Sequence, residues 1–219
     1  DILDFGLYGW ALSRYSGCWV GLKSVHYTVE ASASVMATPN RVVTHVPGDF
    51  LMHETEDNNR RPDTPKTQEV RLHQFKLPAV TAFTRHNRID RQVLGDPVAP
   101  LGIISTGKSY LDVRRALLEL GIDEIRAKAL GMKLYKVGMP WPLEPDGLKD
   151  FAKGTRKLII VEEKRGLMEE QVRNLLYGVT DPPEVIGKTD ETGAVLFQVY
   201  GRLDAAQIAD VIYNFWNVK

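Results

Sequence analysis

The run Gly102-Ile-Ile-Ser-Thr-Gly107-Lys108-Ser109 has the spacing of a phosphate-binding loop, two glycines separated by four residues and followed by lysine and a hydroxyl residue. In such a loop main-chain N–H groups wrap the phosphates, the lysine meets their charge and the hydroxyl orients a metal ion. Further on, LIIVEE supplies the acidic strand end that often accompanies it. The mechanism needs a strand that stops just before the first glycine. Here DPVAPL precedes it, and Pro97 and Pro100 leave no room for one. Ile103 and Ile104 are also too apolar to line an anion cradle. Gly102 is therefore expected inside a strand, with the turn at Ser105 to Gly107. A nucleotide hydrolase stays only as the alternative class.

That turn keeps two readings. In one, Thr106, Gly107, Lys108 and Ser109 offer N–H groups and a point charge to an anionic cofactor at a helix start. In the other, Thr106 or Ser105 simply caps the helix. A lysine in a first turn opposes the helix dipole by about 0.3–1 kcal/mol. Lys108 is then expected either to face an anion or acidic surface supplied by another domain, or to stand solvated. Glu162 and Glu163 end a strand on the side where open α/β sheets take ligands. Either one of them, Glu162 being the candidate, points into that crevice while its neighbour pairs with Lys164 or Arg165, or both are solvated. Candidate cofactor-binding residues are thus Thr106, Gly107, Lys108, Ser109 and Glu162. The sequence assigns no catalytic residue and leaves that role unknown.

Other chemistry is poorly supported. HETE at His53 is not a zinc-protease helix, because Asp57 occupies the second histidine's place. His26, His45, His53, His73 and His86 lack ligand spacing and read as surface or junction residues. There is no Gly-x-Ser-x-Gly nucleophile turn. Cys18 opens an apolar stretch, so packing explains it better than nucleophilic chemistry. Arg85, Arg88 and Arg91 around Asp90 read as an ion network at a domain junction.

The elements that must position these residues follow from periodicity. Leu7, Trp10, Ala11 and Arg14 lie on one helical face, and Gly17 stops that helix. CWVGLKSV reads as a short buried strand. NNRRPDTPKTQE is polar, holds Pro62 and Pro65, and reads as a solvated loop or linker. Order returns at Val93. LGIIST, KLYKVG, RKLIIVEEKRG and LFQVYG read as strands. DVRRALLELG, PLEPDGLKDFAKG, the stretch around Met168 to Leu176, and the end of the chain after Asp204 read as helices. This alternation predicts an α/β fold, an open and mostly parallel sheet with helices on both faces.

Lys+Arg and Asp+Glu are both 28 in 219 residues, so the chain lacks the positive excess of a nucleic-acid or membrane-surface binder. No apolar run approaches a membrane span, and no signal peptide is expected. One cysteine makes neither an internal disulfide nor an iron–sulfur cluster, and a cytoplasmic setting is expected. The chain opens on Asp1 and runs straight into apolar sequence, which reads as a piece of a longer polypeptide.

TGKSYLDVRRALLELGI, KVGMPWPLEP and KLIIVEEKRGLMEEQV, in this order and spacing, resemble the thiamine-diphosphate-dependent 2-oxoacid:ferredoxin oxidoreductases, most nearly the fused bacterial indolepyruvate form. WALSRYSGCWVGLKSVHYTVEASASV is similar to the end of that family's first thiamine-binding domain. The resemblance implies the tail of a pyrimidine-side α/β domain over residues 1–45, a linker or junction over 46–92, and a transketolase-C-terminal-like domain over 93–219. It implies oxidative decarboxylation of aryl-2-oxoacids to acyl-CoA. Thiamine diphosphate with magnesium and iron–sulfur clusters serve the full enzyme, ferredoxin and CoA are its partners, and a homodimer is its expected state. The cluster cysteines, the magnesium–diphosphate motif and the cofactor-activating glutamate are missing here. This chain is accordingly expected to be inactive alone and to bind no cofactor, its partners being other domains of the same polypeptide. The remaining alternative is a non-catalytic α/β interaction domain.

Overall fold

The computed structural model describes residues 2–32, 34–36, 38, 40–50 and 61–217, with the side chains of 216 and 217 left aside. His53 to Asp57 and the start of the polar stretch, residues 58–60, lie outside these. The chain divides into two compact units, Asp1–Ile89 and Asp90–Lys219. Among the described residues no helix is long and apolar enough to cross a membrane.

In the first unit the expected opening helix forms as α1 (Ile2–Ser16), just before Gly17. The expected strand after it does not form. Residues 18–25 have no strand partner among the described residues, and Trp19 is fully exposed. Alternation alone does not make a strand when no neighbouring strand supplies its hydrogen bonds. A single turn, α2 (His26–Val29), follows. Part of the expected polar loop is helical instead. Thr64 caps α3 (Pro65–Arg71) by accepting from Thr67 N, and Pro65 sits in the first turn, where its missing N–H costs nothing. The helix continues through a wider turn at Leu72–Lys76 into α4 (Leu77–His86). Pro78 explains that turn, since it cannot donate to the carbonyl four residues back. α4 packs on α1, with the Tyr15 and Phe83 rings 5.6 Å apart. Lys76 is buried and donates to Gly17 O at 3.1 Å, and buried Arg71 takes both oxygens of Asp63 at 3.0 and 3.1 Å.

The second unit is built on a five-stranded sheet in the order β1-β3-β2-β4-β5. Its strands are β1 (Arg91–Leu94), β2 (Leu101–Thr106), β3 (Met132–Val137), β4 (Lys157–Val161) and β5 (Glu184–Ile186). All pairings are parallel except that of β1 with β3. The antiparallel edge strand β1 begins at Arg91, inside the stretch read as a junction ion network. LFQVYG is not a strand. Phe197 is buried from an irregular segment, and the edge is formed by the shorter EVI run at β5.

Helices α5 (Gly107–Glu119), α6 (Glu124–Leu130), α7 (Pro145–Ala152), α8 (Leu167–Leu176) and α9 (Ala205–Asn217) cover the sheet. Helix α6 had no counterpart in the periodicity. Strand alternation divides the core between two faces. Leu101, Ile103, Leu134, Ile159 and Val161 meet α5, α6 and α9 on one face, while Ile104, Tyr135, Leu158 and Ile160 meet α7 and α8 on the other. Gly102 lies in β2, with Leu158 and Phe151 so close that a methyl group there would stand 2.6 and 3.0 Å from them. The side chains around Gly102 leave no space for a phosphate, and the phosphate-loop reading falls with that.

Candidate site at the carboxyl end of the sheet

From β2 the chain passes to β3 on one side, and from β3 it crosses to β4 on the other. Such a reversal opens a crevice at the carboxyl ends of the strands, here between β2 and β4, where doubly wound sheets take ligands. It brings Ser105 to Ser109 against Glu162 and Glu163, as the sequence reading anticipated. What those residues do there differs from that reading.

Neither hydroxyl caps α5. Ser105 Oγ donates to Val161 O and Thr106 Oγ1 to Val137 O, both at 2.8 Å, so each ties β2 to the last residue of a flanking strand. Gly107 opens α5 in the left-handed region at φ 53°, and Ser109 is buried. Lys108 Nζ donates to Asp112 Oδ2 at 2.6 Å, Glu163 Oε1 at 3.1 Å and Leu203 O at 2.9 Å. Burial pulls its pKa down, but the bonds to Asp112 and Glu163 outweigh this and hold it above the ordinary lysine value. The acidic surface expected from another domain is thus present within this unit. A helix-dipole cost of this kind is repaid locally by two carboxylates.

Glu162 and Glu163 are neither solvated nor paired with Lys164 or Arg165 as expected. Glu162 is buried. Its carboxylate accepts from Met168 N at 2.9 Å and Glu169 N at 2.9 Å, capping the start of α8. Burial pushes its pKa up, against those two N–H groups. On the β5 side Lys188 Nζ donates to the Glu162 carbonyl. Glu163 turns to the β2 side and takes Lys108. Lys164 reaches Gly201 O instead, at 2.7 Å.

A diphosphate seated at the start of α5 would meet Asp112 and Glu163, and the lysine meant to attract it is already neutralised by both. Glu162, with its oxygens committed to N–H donors, has little left for a magnesium ion. As they are engaged here, Lys108 and Glu162 do not fit thiamine diphosphate and its metal. Among the described residues no group of three His, Cys, Asp or Glu side chains is placed to hold a metal ion.

A second polar cluster forms around Asp90, which the sequence reading had placed only in a junction ion network. Asp90 Oδ1 accepts from Gly138 N at 2.7 Å and Met139 N at 3.0 Å beyond the end of β3. Burial lifts its carboxyl to about 6 against these bonds, and the Glu144 charge adds to the rise. Buried Glu144 caps α7, accepting from Asp146 N at 3.0 Å and Gly147 N at 2.7 Å. Burial, then the charges of Asp90, Glu144 and Asp150, push the Tyr135 phenol up. An acidic residue ahead of Pro145 is a helix-start signal that could have revealed Glu144. Nothing local could have revealed Asp90, whose partners lie some 48 residues away. At the opposite end of β3, Lys133 is fully buried over the Phe151 ring, and donates to Pro97 O at 2.8 Å and Lys153 O at 3.3 Å. Burial lowers it to about 8.

The family model for the indolepyruvate oxidoreductase domain matches residues 91–217, the sheet and helices just described. The chain belongs to this family. Among relatives of the indolepyruvate oxidoreductase domain, subunit IorA of indolepyruvate oxidoreductase from Pyrococcus abyssi (strain GE5 / Orsay) is 31% identical over 143 residues, covering 64% of this chain and 20% of that protein. The IorA subunit from Pyrococcus horikoshii is 36% identical over 94 residues, covering 43% of this chain and 13% of that one. The chain therefore spans at most about a fifth of the length of these two relatives. Among solved structures, a 2-oxoglutarate:ferredoxin oxidoreductase from Magnetococcus marinus overlays with a TM-score of 0.45 at 15% identity, over 82% of this chain and 28% of that one.

Proposed function

We propose that this chain is a supporting module of a 2-oxoacid:ferredoxin oxidoreductase that decarboxylates aryl-2-oxoacids of the indolepyruvate type to acyl-CoA. In this reading thiamine diphosphate, magnesium and the iron–sulfur clusters are held elsewhere in the complete enzyme, a cytoplasmic homodimer that uses CoA and ferredoxin. The second unit is its transketolase-C-terminal-like domain. The first unit holds the end of the pyrimidine-side domain and the junction. The observation that carries the reading is the filled crevice. Lys108, Glu163 and Leu203 occupy the place where a doubly wound sheet would take a ligand, and Glu162 is used in capping α8. Such a unit offers shape and surface to an active centre built by other domains. The family match over residues 91–217 supports the indolepyruvate assignment.

The test uses the purified 219-residue chain, supplied with indolepyruvate, thiamine diphosphate, magnesium, CoA and a viologen dye. No dye reduction is expected, while the full natural polypeptide under the same conditions reduces it. Reduction by the chain alone would overturn the supporting role. Failure of the full polypeptide with indolepyruvate, but not with another 2-oxoacid, would overturn the substrate class.

A further inference from the structure

Leu203 is held in three ways at the switch point. Its N–H donates to Glu163 Oε1 at 3.2 Å, its carbonyl accepts from Lys108 Nζ at 2.9 Å, and its side chain is buried. Lys108 and Glu163 are themselves 3.1 Å apart, so one ion pair engages both main-chain groups of a single residue. That residue is the root of α9. Asp204 caps the helix by accepting from Gln207 N at 3.0 Å, and Gln207 Oε1 accepts from Asp204 N at 3.2 Å.

On the other side of this root the chain is exposed and is tied at Gly201, whose carbonyl accepts from Lys164 Nζ at 2.7 Å. Phe197 is buried, but residues 198–202 are all exposed. Gly201 has φ 72° and open space around it. Beyond the root, α9 lies along α5 and places Ile208 and Ile212 in the core. The ladders joining β1 to β5 run through none of its described residues.

We infer that the Lys108–Glu163 pair is a latch for the chain's own Leu203, and that residues 203–217 form a strap that leaves and returns as one unit while the strands stay paired. Its travel is taken up by the exposed stretch 198–202, with release of the Lys164 bond to Gly201 O. Opening uncovers the apolar surface under Ile208 and Ile212, and closing restores the three-way grip on Leu203. Units of this kind open with their own free energy, below that of global unfolding.

Hydrogen exchange read by mass spectrometry on the full chain tests this. In the wild type, amides of 205–215 are expected to exchange together and faster than those of β2 and β4. Lys108→Met should speed the 205–215 amides by about tenfold or more, the loss of charge-assisted bonds at the root, and leave β2 and β4 unchanged. Arg115→Ala, which removes an exposed pair on the same α5, should alter neither set. Wild-type 205–215 amides as slow as those of β2 would overturn the strap, and this holds even if the variant fails to fold. Equal acceleration of strap and strands in Lys108→Met, or none in the strap, would overturn the latch.

Discussion

Adding one methyl group at Gly102 tests whether this glycine belongs to a strand or a loop. An alanine Cβ there would stand 2.6 Å from Leu158 Cδ2 and 3.0 Å from Phe151 Cε1, with Leu158 fully buried and Phe151 nearly so. A packed core accommodates such an intrusion by shifting rotamers, at about 1–3 kcal/mol. Replacing glycine by alanine also restrains the unfolded chain, which returns about 0.4–1 kcal/mol. The expected net loss for Gly102→Ala is about 1–2 kcal/mol, read as a lower urea midpoint at unchanged m-value. Leu158→Val removes the clashing carbon, so the double variant should lose less than the sum of the single losses, with a coupling of about 0.5 kcal/mol or more. Gly102→Ala as stable as wild type, with no coupling to Leu158→Val, would refute the placement of this residue in β2 against α7.

Three further outcomes are expected. Asp90 has a folded pKa of about 6, above its ordinary 3.8, so the folded state holds this proton more tightly than the unfolded chain. Its contribution makes the fold more stable as the pH falls from about 7 to about 5; urea midpoints across that range should show wild type gaining on Asp90→Asn toward acid, and a gap independent of pH would contradict it. Gly187→Ala would push a Cβ into the Glu169 carboxylate and displace Oε2, the atom that accepts from Lys188 N at 2.8 Å, and should cost about 1–2 kcal/mol in chemical denaturation. No loss would mean that the β5–α8 contact is looser than described. Lys133, held near 8 by burial, should lose its proton more readily than surface lysines. A 15N-lysine titration showing Lys133 near 10 would refute that.

How much was legible beforehand differs from element to element. The helix from Gly107 was visible because Val113, Ala116, Leu117 and Leu120 repeat at helical spacing, and β4 because four apolar residues in succession suit a strand covered on both faces. These are local signals carried by neighbours in the chain. Gly102 could likewise be placed in β2 because Pro97 and Pro100 act on the adjacent backbone. CWVGLKSV and LFQVYG carried the same kind of pattern and failed, since a strand also needs a partner that pattern does not specify.

The candidate residues divide along the same line. Their types and their nearness to the sheet's carboxyl end were determined by the sequence, through the order of strands and helices. Their work was decided by tertiary structure. Lys108 meets Glu163 across 55 residues and Leu203 across 95, and these partners turn a residue suited to an anion into a brace. Asp90 acquires its raised pKa only where Gly138, Met139 and Glu144 surround it. Charge and hydrogen-bonding capacity belong to the residue, but desolvation and the choice of partner belong to the fold. Energies that act through space over a few ångströms are set by which distant segments the core brings together.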